Sequence, residues 1–270
     1  MNSRDLNPLT IATGLLRHRA IIAQLTKRDL LLKYRGAYFG IAWAFFYPLL
    51  LLAVFSLVFG NIVPARWGDA GAGQSTVLWL YSGLAVFSFF AEAVSRAPAL
   101  IRGYPAFVKK ILFPVETLPV TLVGTAVLHL LLNLGILLVA TAVLAQLHAT
   151  ALLAPVVLLP AILVALGCAW LAAAVGVFIR DLVNIIPILV QGLLFLSPIF
   201  YSLDAVPANV RPLILANPLS TTIEQLRDVL FLGRAPDWGA WLAVLAVGVA
   251  VTSVGYAVFQ HLREEFADVL

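Results

Sequence analysis

The chain has 270 residues, of which 62% are hydrophobic and 11% are charged, and its formal net charge is +4. A soluble domain carries about 25% charged residues, so this composition excludes a water-soluble globular protein and indicates a membrane protein. The small net charge gives little support to nucleic-acid binding, and the single cysteine, Cys168, excludes an internal disulfide.

Residues 1–37 form a basic arm ahead of the first long apolar stretch. We predict a helix over residues 8–35 that lies on the membrane surface, because Pro8 suits a helix start and positive charges alternate with apolar side chains. The positive residues of this helix are Arg17, Arg19, Lys27, Arg28, Lys33 and Arg35. The simpler alternative is an anchor that only orients the first span.

Charge-free stretches predict six membrane spans, since a spanning helix needs about 20 apolar residues. The longest stretch, 63 residues between Glu116 and Arg180, is too long for one span and is divided at a polar break near His148. The predicted spans are 38–62, 76–95, 119–145, 151–179, 183–203 and 238–260. The fold class is therefore an all-α membrane protein, with one transmembrane domain over 38–262 and a tail over 263–270.

The distribution of Lys and Arg predicts the orientation of these spans. An even number of spans places both termini on one side of the membrane. The arm, the tail and the loops on that side hold 13 of the 17 Lys and Arg residues. Both termini are therefore predicted to be cytoplasmic.

The first span begins with a cluster of aromatic side chains. Tyr38 and Phe39 fit the belt of rings that is common at headgroup depth. Trp43, Phe46 and Tyr47 lie one to two turns deeper. These deeper rings suit packing against lipid or helices, but they also suit a path for a ligand that stacks on rings, such as a sugar.

Residues 96–118 form the longest predicted cytoplasmic loop. A short amphipathic helix is predicted from Phe107 to Phe113, and Pro114 ends it because the residue before a proline disfavours helical backbone. Lys109 and Lys110 lie beside apolar residues in this segment, which is typical of a docking element. The alternative is a loop whose positive charge serves only the topology.

The second and third spans contain one carboxylate, one imidazole and one amide side chain. A carboxylate in a span is costly and is by default a functional candidate, but Arg96 follows Glu92 at i+4, so a structural ion pair is the simpler interpretation. His129 and Asn133 share one helix face and predict an interhelical hydrogen bond.

The fifth span is interrupted by Pro187, Gly192 and Pro198. Such a helix usually packs inside a bundle, where neighbours satisfy the freed backbone groups. Three aromatic residues mark its outer end: Phe195, Phe200 and Tyr201.

Residues 204–237 connect the fifth and sixth spans on the outer side. Asn217 suits an N-cap and Pro218 suits the first helical position. The apolar stripe of the following helix is Leu219, Ile223, Leu226 and Leu230. At about 20 Å this helix is too short to cross. Together with a second short helix over 206–216, it predicts either the closure of a pore or a plain extracellular cap.

The sequence holds no motif of a catalytic or nucleotide-binding site. It contains no G-x-x-x-x-G-K-[ST] phosphate loop, and no G-x-S-x-G, H-E-x-x-H or C-x-x-C motif. We therefore predict no catalytic residue, no metal site and no cofactor bound by this chain. If the protein moves a substrate, a separate subunit must supply the energy.

Three segments in the same order resemble the polysaccharide-exporting ABC permeases of the O-antigen and teichoic-acid class, which have the type-2 exporter fold. The segments are TKRDLLLKYRGAYFGIAWAFFYPLLLLAVFSLVFG, FFAEAVSRAPALIRGYPAFVKKILFPVETLPV and SPIFYSLDAVPANVRPLILANPLSTTIEQLRDVLFLG. The resemblance covers nearly the whole chain. It implies a homodimer with two ATPase subunits, which bind ATP and Mg²⁺ and drive a lipid-linked glycan across a bacterial inner membrane.

The resemblance also implies roles for particular residues. Spans one and five would line the channel, with Trp43, Phe46, Tyr47, Phe195, Phe200 and Tyr201 as sugar contacts. The loop over 96–118 would dock on the ATPase through Lys109, Lys110, Phe113, Pro114 and Glu116. The outer gate would include Asn217, Pro218, Ile223, Leu226 and Leu230.

We therefore expect the membrane subunit of an ATP-driven exporter of a lipid-linked polysaccharide. One alternative is a permease of the same fold that exports a small drug or lipid. Another is a structural membrane protein that transports nothing and needs no ATPase.

Overall fold

The computed structural model describes residues 8–58, 76–108 and 113–269, and the regular elements in these ranges are helices. The α-helices are α1 (Pro8–Arg17), α2 (Arg19–Lys33), α3 (Trp43–Leu57), α4 (Thr76–Leu100), α5 (Pro105–Val108), α6 (Thr117–Leu144), α7 (Ala154–Phe178), α8 (Leu182–Phe195), α9 (Arg211–Leu215), α10 (Pro218–Phe231), α11 (Trp238–Leu262) and α12 (Phe266–Val269). The predicted all-α fold class is confirmed.

Five helical stretches are long and apolar enough to cross a membrane. They are Gly40–Leu57, Thr76–Leu100, Thr117–Leu144, Ala149–Phe178 and Trp238–Val269. They correspond to the first, second, third, fourth and sixth predicted spans. The last four residues of the first predicted span, 59–62, lie outside the described residues.

The fifth predicted span is shorter in the structure than in the prediction. Helix α8 has 14 residues, so it rises about 21 Å, whereas the hydrocarbon core of a bilayer is about 30 Å thick. It ends at Phe195 because Pro198 has no N–H to continue the helix, and the Ser197 hydroxyl donates to the Leu193 carbonyl at 2.7 Å. Five of the six predicted spans are thus supported by length and composition, and the fifth stays a prediction.

Helices α4 and α7 form the centre of the bundle, and α7 packs closely on both α11 and α4. A Cβ on Gly255 of α11 would collide with the backbone of Gly167, and one on Gly176 would collide with the backbone of Pro98. Such close backbone approach is typical of small residues at helix crossings in membranes. These two crossings form the central packing contacts of the bundle.

Helix α3 is the least buried of the candidate spans. In its apolar window 11% of the residues are buried, against 78% for α4. Its exposed apolar side chains include Phe46, Leu50, Val54 and Leu57. This surface has to be covered by lipid or by another subunit.

The arm consists of two helices, so the prediction of one continuous helix over 8–35 is wrong at one point. His18, with φ −97° and ψ 12°, separates α1 from α2. Helix α1 packs against α11 and α2 against α6, where Thr26 is buried next to Gly124. The predicted position on a membrane surface stays a prediction.

The turn from α2 into α3 depends on two glycines. Gly36 has φ +86° and Gly40 has φ +52°. Residues with a side chain rarely adopt this left-handed backbone conformation. The two glycines let the chain leave the arm at Lys33 and enter the first candidate span at Gly40, seven positions later.

The outer region contains both predicted short helices. Helix α9 begins at Arg211 rather than near 206, because the chain first forms a turn in which Val210 N donates to the Pro207 carbonyl at 3.0 Å. Helix α10 begins at Pro218, as predicted. It packs against α7 and α4, so it lies within the bundle rather than on its surface.

Candidate functional site

A cavity of about 390 Å³ lies between the end of α2 and helices α3, α4 and α6. Its lining residues are Lys33, Tyr34, Trp43, Ala44, Tyr47, Pro48, Ser88, Phe89, Glu92, His129, Leu130 and Asn133. Charged and hydrogen-bonding groups come from α2, α4 and α6, while α3 contributes aromatic rings. This volume is within the usual range for small-molecule sites.

Glu92 is at the centre of the polar groups. Its Oε1 lies 2.8 Å from Lys33 Nζ and 3.4 Å from Arg96 Nη1, and its Oε2 lies 2.8 Å from His129 Nδ1. Arg96 also pairs with Asp29 of α2 at 3.1 Å. The predicted i,i+4 pair is therefore present, but it is only one part of a network that fixes the arm to the bundle.

The two partners of His129 determine which atoms of this network donate hydrogen bonds and which accept them. A carboxylate only accepts hydrogen bonds, so Nδ1 carries the proton that is donated to Glu92. In the neutral imidazole Nε2 then accepts from the Tyr34 hydroxyl, 3.0 Å away. Burial, and after it the nearby Glu92 charge, raises the pKa of the Tyr34 phenol, so this hydroxyl remains a donor.

Asn133 extends the polar side of the cavity along α6. Its Nδ2 donates to the His129 carbonyl at 2.8 Å, and its Oδ1 accepts from the Tyr81 hydroxyl at 2.6 Å. The predicted interhelical hydrogen bond is therefore present. It joins α6 to α4 and holds the Asn133 amide at the cavity wall.

The predicted channel residues of the first span lie on two sides of α3. Trp43 and Tyr47 line the cavity, and they are 38% and 63% exposed. Phe46 lies in an apolar surface groove with Phe39 and Leu50. Trp43 also borders this groove, so its ring connects the two surfaces.

The other three predicted channel residues form a separate cluster at the end of α8. The rings of Phe195 and Phe200 are 6.4 Å apart, and the Tyr201 hydroxyl donates to the Phe195 carbonyl at 2.9 Å. None of the three is among the residues that line the cavity. Within one chain the two aromatic groups are therefore distinct, and their shared role as a channel stays a prediction.

Three of the predicted ATPase-coupling residues are held against the bundle. The ring centroids of Phe113 and Phe107 are 4.6 Å apart. The Pro114 carbonyl accepts from the Thr117 hydroxyl at 2.7 Å. Glu116 pairs with Arg263 at 2.9 Å. Lys109 and Lys110 lie outside the described residues, as does most of the predicted helix from Phe107 to Phe113.

The loop is also in contact with the arm. The Arg28 guanidinium of α2 lies 6.0 Å from the Tyr104 ring centroid and 5.7 Å from that of Phe107. These distances are in the range of cation–π contacts. The arm therefore touches both the loop, through Arg28, and the cavity, through Lys33.

The residues predicted for the outer gate all belong to α10. Asn217 caps the helix, since its Oδ1 accepts from Leu219 N at 3.1 Å, and Pro218 is the first helical residue. Ile223, Leu226 and Leu230 are fully buried. The predicted cap and stripe are present, whereas the role of gate stays a prediction.

Arg227 of α10 is buried, although its charge suggested an exposed position. Its Nη1 donates to the Pro198 carbonyl at 2.7 Å and to Glu224 Oε1 at 2.6 Å, and its Nη2 donates to the Trp79 carbonyl at 3.1 Å. The guanidinium thus satisfies the Pro198 carbonyl, which lies in the turn that follows α8. Burial raises the pKa of the Glu224 carboxyl, and the Arg227 charge acts in the opposite direction.

Two groups of functional residues were missed by sequence reasoning. Lys33 and Tyr34 were assigned to the arm, with no sign that they reach Glu92 and His129. Arg227 offered a usable signal, because at helical spacing it lies between Ile223 and Leu230 and therefore on the apolar stripe. In the described ranges there is no group of three or more His, Cys, Asp or Glu residues that could hold a metal ion.

Comparison with known proteins gives one family and several relatives. A family model described as ABC-2 type transporter matches residues 21–231. The chain is 27% identical over 263 residues to a protein named O-antigen export system permease protein RfbA from Myxococcus xanthus, and the match covers 96% of this chain and 99% of the relative. Two proteins of the same name from Klebsiella pneumoniae are 23% and 22% identical over 252 residues, covering 93% of this chain and 95% of each relative.

Proposed function

Because the chain belongs to the ABC-2 type transporter family, we propose that it is the membrane permease of an ATP-driven exporter of a lipid-linked polysaccharide. The substrate would be a glycan of the O-antigen, capsule or teichoic-acid type. The chain itself is the transport component, and membership of this family implies an ATPase subunit as its partner.

The observation that carries this proposal is the extent of the match to permeases named for O-antigen export. The match covers 93–96% of the chain, so it includes the arm, the spans and the outer region together. The ring-lined cavity adds chemical support, because Trp43 and Tyr47 stand beside carboxylate, amide and imidazole groups. So many hydrogen-bonding groups favour a polar ligand over a small hydrophobic drug.

Coupling to the ATPase is proposed for the loop over 96–118. The loop is fixed at Glu116 by Arg263 and at Tyr104 by Arg28. A force applied to it by a partner subunit would therefore reach the tail and the arm. ATP and Mg²⁺ would bind only in that partner subunit.

A second copy of the chain is proposed to cover α3. This helix leaves most of its apolar surface uncovered, and α8 likewise exposes Ile188, Leu189 and Phe195. Pairing two copies along these helices would place their aromatic residues around a common path. Membrane lipid would cover the remaining apolar surface.

We place the protein in the bacterial inner membrane with both termini in the cytoplasm. The excess of Lys and Arg in the arm, the loop over 96–118 and the tail supports this orientation. The arm (1–37), the transmembrane domain (38–262) and the tail (263–270) are proposed as the units of the chain. In this orientation the cavity opens toward the inner half of the membrane, and residues 204–237 face outward.

The proposal is tested by deleting the gene in its source bacterium and measuring glycan on each side of the membrane. Lipid-linked glycan should accumulate inside and surface glycan should fall at least tenfold. Wild-type permease supplied with its ATPase should restore the surface glycan, and an ATPase without its catalytic activity should not. Unchanged surface glycan combined with altered efflux of hydrophobic dyes would replace the polysaccharide with a small drug or lipid as substrate.

A further inference from the structure

Helix α2 of the arm has one face that the bundle leaves open. The other side of the helix packs against α6. The open face and the turn that leads into α3 form a groove of about 530 Å³, which we call the basic groove. Its lining residues are Gln24, Lys27, Arg28, Leu31, Leu32, Tyr34, Arg35 and Ile41. The five that belong to α2 repeat at spacings of three and four residues, so they share one face of the helix.

The basic groove carries positive charge that no carboxylate neutralises. In the described ranges no Asp or Glu pairs with Lys27, Arg28 or Arg35. Arg28 touches two aromatic rings of the loop over 96–118, a contact that leaves its charge intact. On the bundle side of the arm, by contrast, Lys33 pairs with a carboxylate of α4. The open face therefore suits an anion, and guanidinium and ammonium groups bind phosphate well.

The floor of the basic groove is apolar. Leu31, Leu32 and Ile41 are 50%, 43% and 48% exposed. Ile41 is the second residue of the first candidate span, Gly40–Leu57, so the groove lies where the chain enters the membrane. A soluble anion gains nothing from this apolar surface, whereas a phospholipid at this depth presents both a phosphate and the beginning of its acyl chains.

We infer that the basic groove is a binding site for one anionic phospholipid of the inner leaflet. The phosphate meets Lys27, Arg28 and Arg35, and the acyl chains begin on the apolar floor. Arg17 and Arg19 are exposed on the same arm but lie outside the groove. A general attraction of the arm to an anionic surface would involve them equally, whereas this site does not. The inference rests on the proposed orientation of the chain and not on which substrate it exports.

Tyr34 connects the basic groove to the cavity. It lines both, and its hydroxyl donates to His129 at 3.0 Å. A lipid in the groove therefore packs against the arm at the point where the arm joins the bundle. Because a ligand that binds only the folded chain raises its stability, the bound lipid should raise the melting temperature.

The test is native mass spectrometry of the full chain in detergent, together with thermal unfolding. The probes are phosphatidylglycerol, the neutral phosphatidylcholine, a polyprenyl diphosphate and glycerol 3-phosphate as a free headgroup. Phosphatidylglycerol should be retained at one copy per chain and should raise the melting temperature by at least about 2 °C, and phosphatidylcholine should do neither. Lys27→Gln with Arg35→Gln should weaken the binding of phosphatidylglycerol by about fivefold or more.

Arg17→Gln with Arg19→Gln is the matched control. It removes the same charge from the same arm but leaves the basic groove complete, so the Kd should change by less than twofold. Leu31→Ala with Leu32→Ala keeps every charge. It should still weaken the binding at least twofold, because it removes part of the apolar floor.

Four results would overturn the inference. Equal retention of phosphatidylglycerol and phosphatidylcholine would remove the selectivity for an anion. An equal loss of affinity in the Arg17 and Arg19 control would replace the site with a diffuse attraction of the whole arm. Glycerol 3-phosphate that binds as tightly as phosphatidylglycerol would make the groove a site for a soluble phosphate. A tenfold preference for the polyprenyl diphosphate would assign the groove to the carrier of the proposed substrate. Glycan export is measured separately, so failure of this site leaves the proposed function standing.

Discussion

The Glu116 carboxylate and the Arg263 guanidinium form an ion pair with a distance of 2.9 Å across 147 positions of the chain. The Glu116 side chain is largely buried, and its backbone carbonyl accepts from the Trp170 indole at 3.0 Å. The pair therefore joins the end of the loop over 96–118 to Arg263, the first residue after α11. A shift of the loop at Glu116 would either break this pair or move the tail with it.

We expect Arg263→Glu to lower the thermal stability of the purified protein, because it places two carboxylates together at a partly buried position. A partly shielded pair contributes about 1 kcal/mol or more, somewhat above the range for exposed pairs. The double reversal Glu116→Arg with Arg263→Glu should recover at least half of the lost stability. No recovery in thermal unfolding measured in detergent would mean that the pair contributes no direct attraction.

We expect Arg227→Met to destabilise the protein by about 1–3 kcal/mol, because it leaves the partly buried Glu224 carboxylate without its cation and the Trp79 carbonyl without its donor. It also removes the donor to the Pro198 carbonyl. The control is Arg234→Met, since Arg234 is exposed on the loop after α10 and its loss should cost less than about 0.5 kcal/mol. Equal shifts in melting temperature for the two variants would refute the assigned role.

We expect Gly255→Ala to destabilise the crossing of α7 and α11 by about 1–3 kcal/mol, the usual cost of overpacking. The added methyl group would collide with the Gly167 backbone, which cannot rotate away as a side chain can. Gly135→Ala on α6 is the matched control, because its Cβ would meet no neighbouring atom. A thermal scan in which Gly135→Ala is the more damaging change would contradict this packing.

We expect Trp43→Ala and Tyr47→Ala to slow glycan export by at least fivefold while protein abundance changes by less than twofold. Both side chains are partly exposed, so their loss creates no large internal void. Export is measured as surface glycan per molecule of permease on immunoblots. A parallel fall in export and abundance would identify the two rings as packing elements.

We expect the double variant Lys109→Glu with Lys110→Glu to separate ATP hydrolysis from transport. Reversing two charges in the docking segment should weaken its fit to the ATPase by a few kcal/mol. The measurement compares ATP turnover with glycan export in reconstituted complexes. Arg180→Glu, at another predicted cytoplasmic position, serves as the control, and an unchanged ratio in the double variant would reject the docking role.

The helices could be predicted well where the signal was local. The Asn217 cap, Pro218 and the apolar stripe lie within fourteen residues, so the capping residues and the periodicity together predicted a helix that begins at Pro218. The end of α8 was predicted too late, because the hydroxyl and proline that stop the helix also occur inside continuous membrane helices, as Pro48 does in α3.

The contacts of the cavity and of Arg227 could not be predicted from local pattern. Lys33 meets Glu92 across 59 positions, and Arg227 meets the Trp79 carbonyl across 148. Such pairs depend on how helices distant in sequence pack, and the apolar pattern of a membrane helix leaves its rotation undetermined. Glu92 and His129 could therefore be recognised as polar residues within the spans. Their partners in the arm, Lys33 and Tyr34, could not be predicted.

Two glycines with positive φ, Gly36 and Gly40, connect the two walls of the cavity. Lys33 and Tyr34 stand before Gly36, whereas Trp43 and Tyr47 follow Gly40. The separation of these two walls therefore depends on the backbone conformation of Gly36 and Gly40. An alanine at either position would be strained by about 1 kcal/mol or more, because a residue with a Cβ rarely adopts a positive φ, and relief of that strain would move the two walls relative to each other.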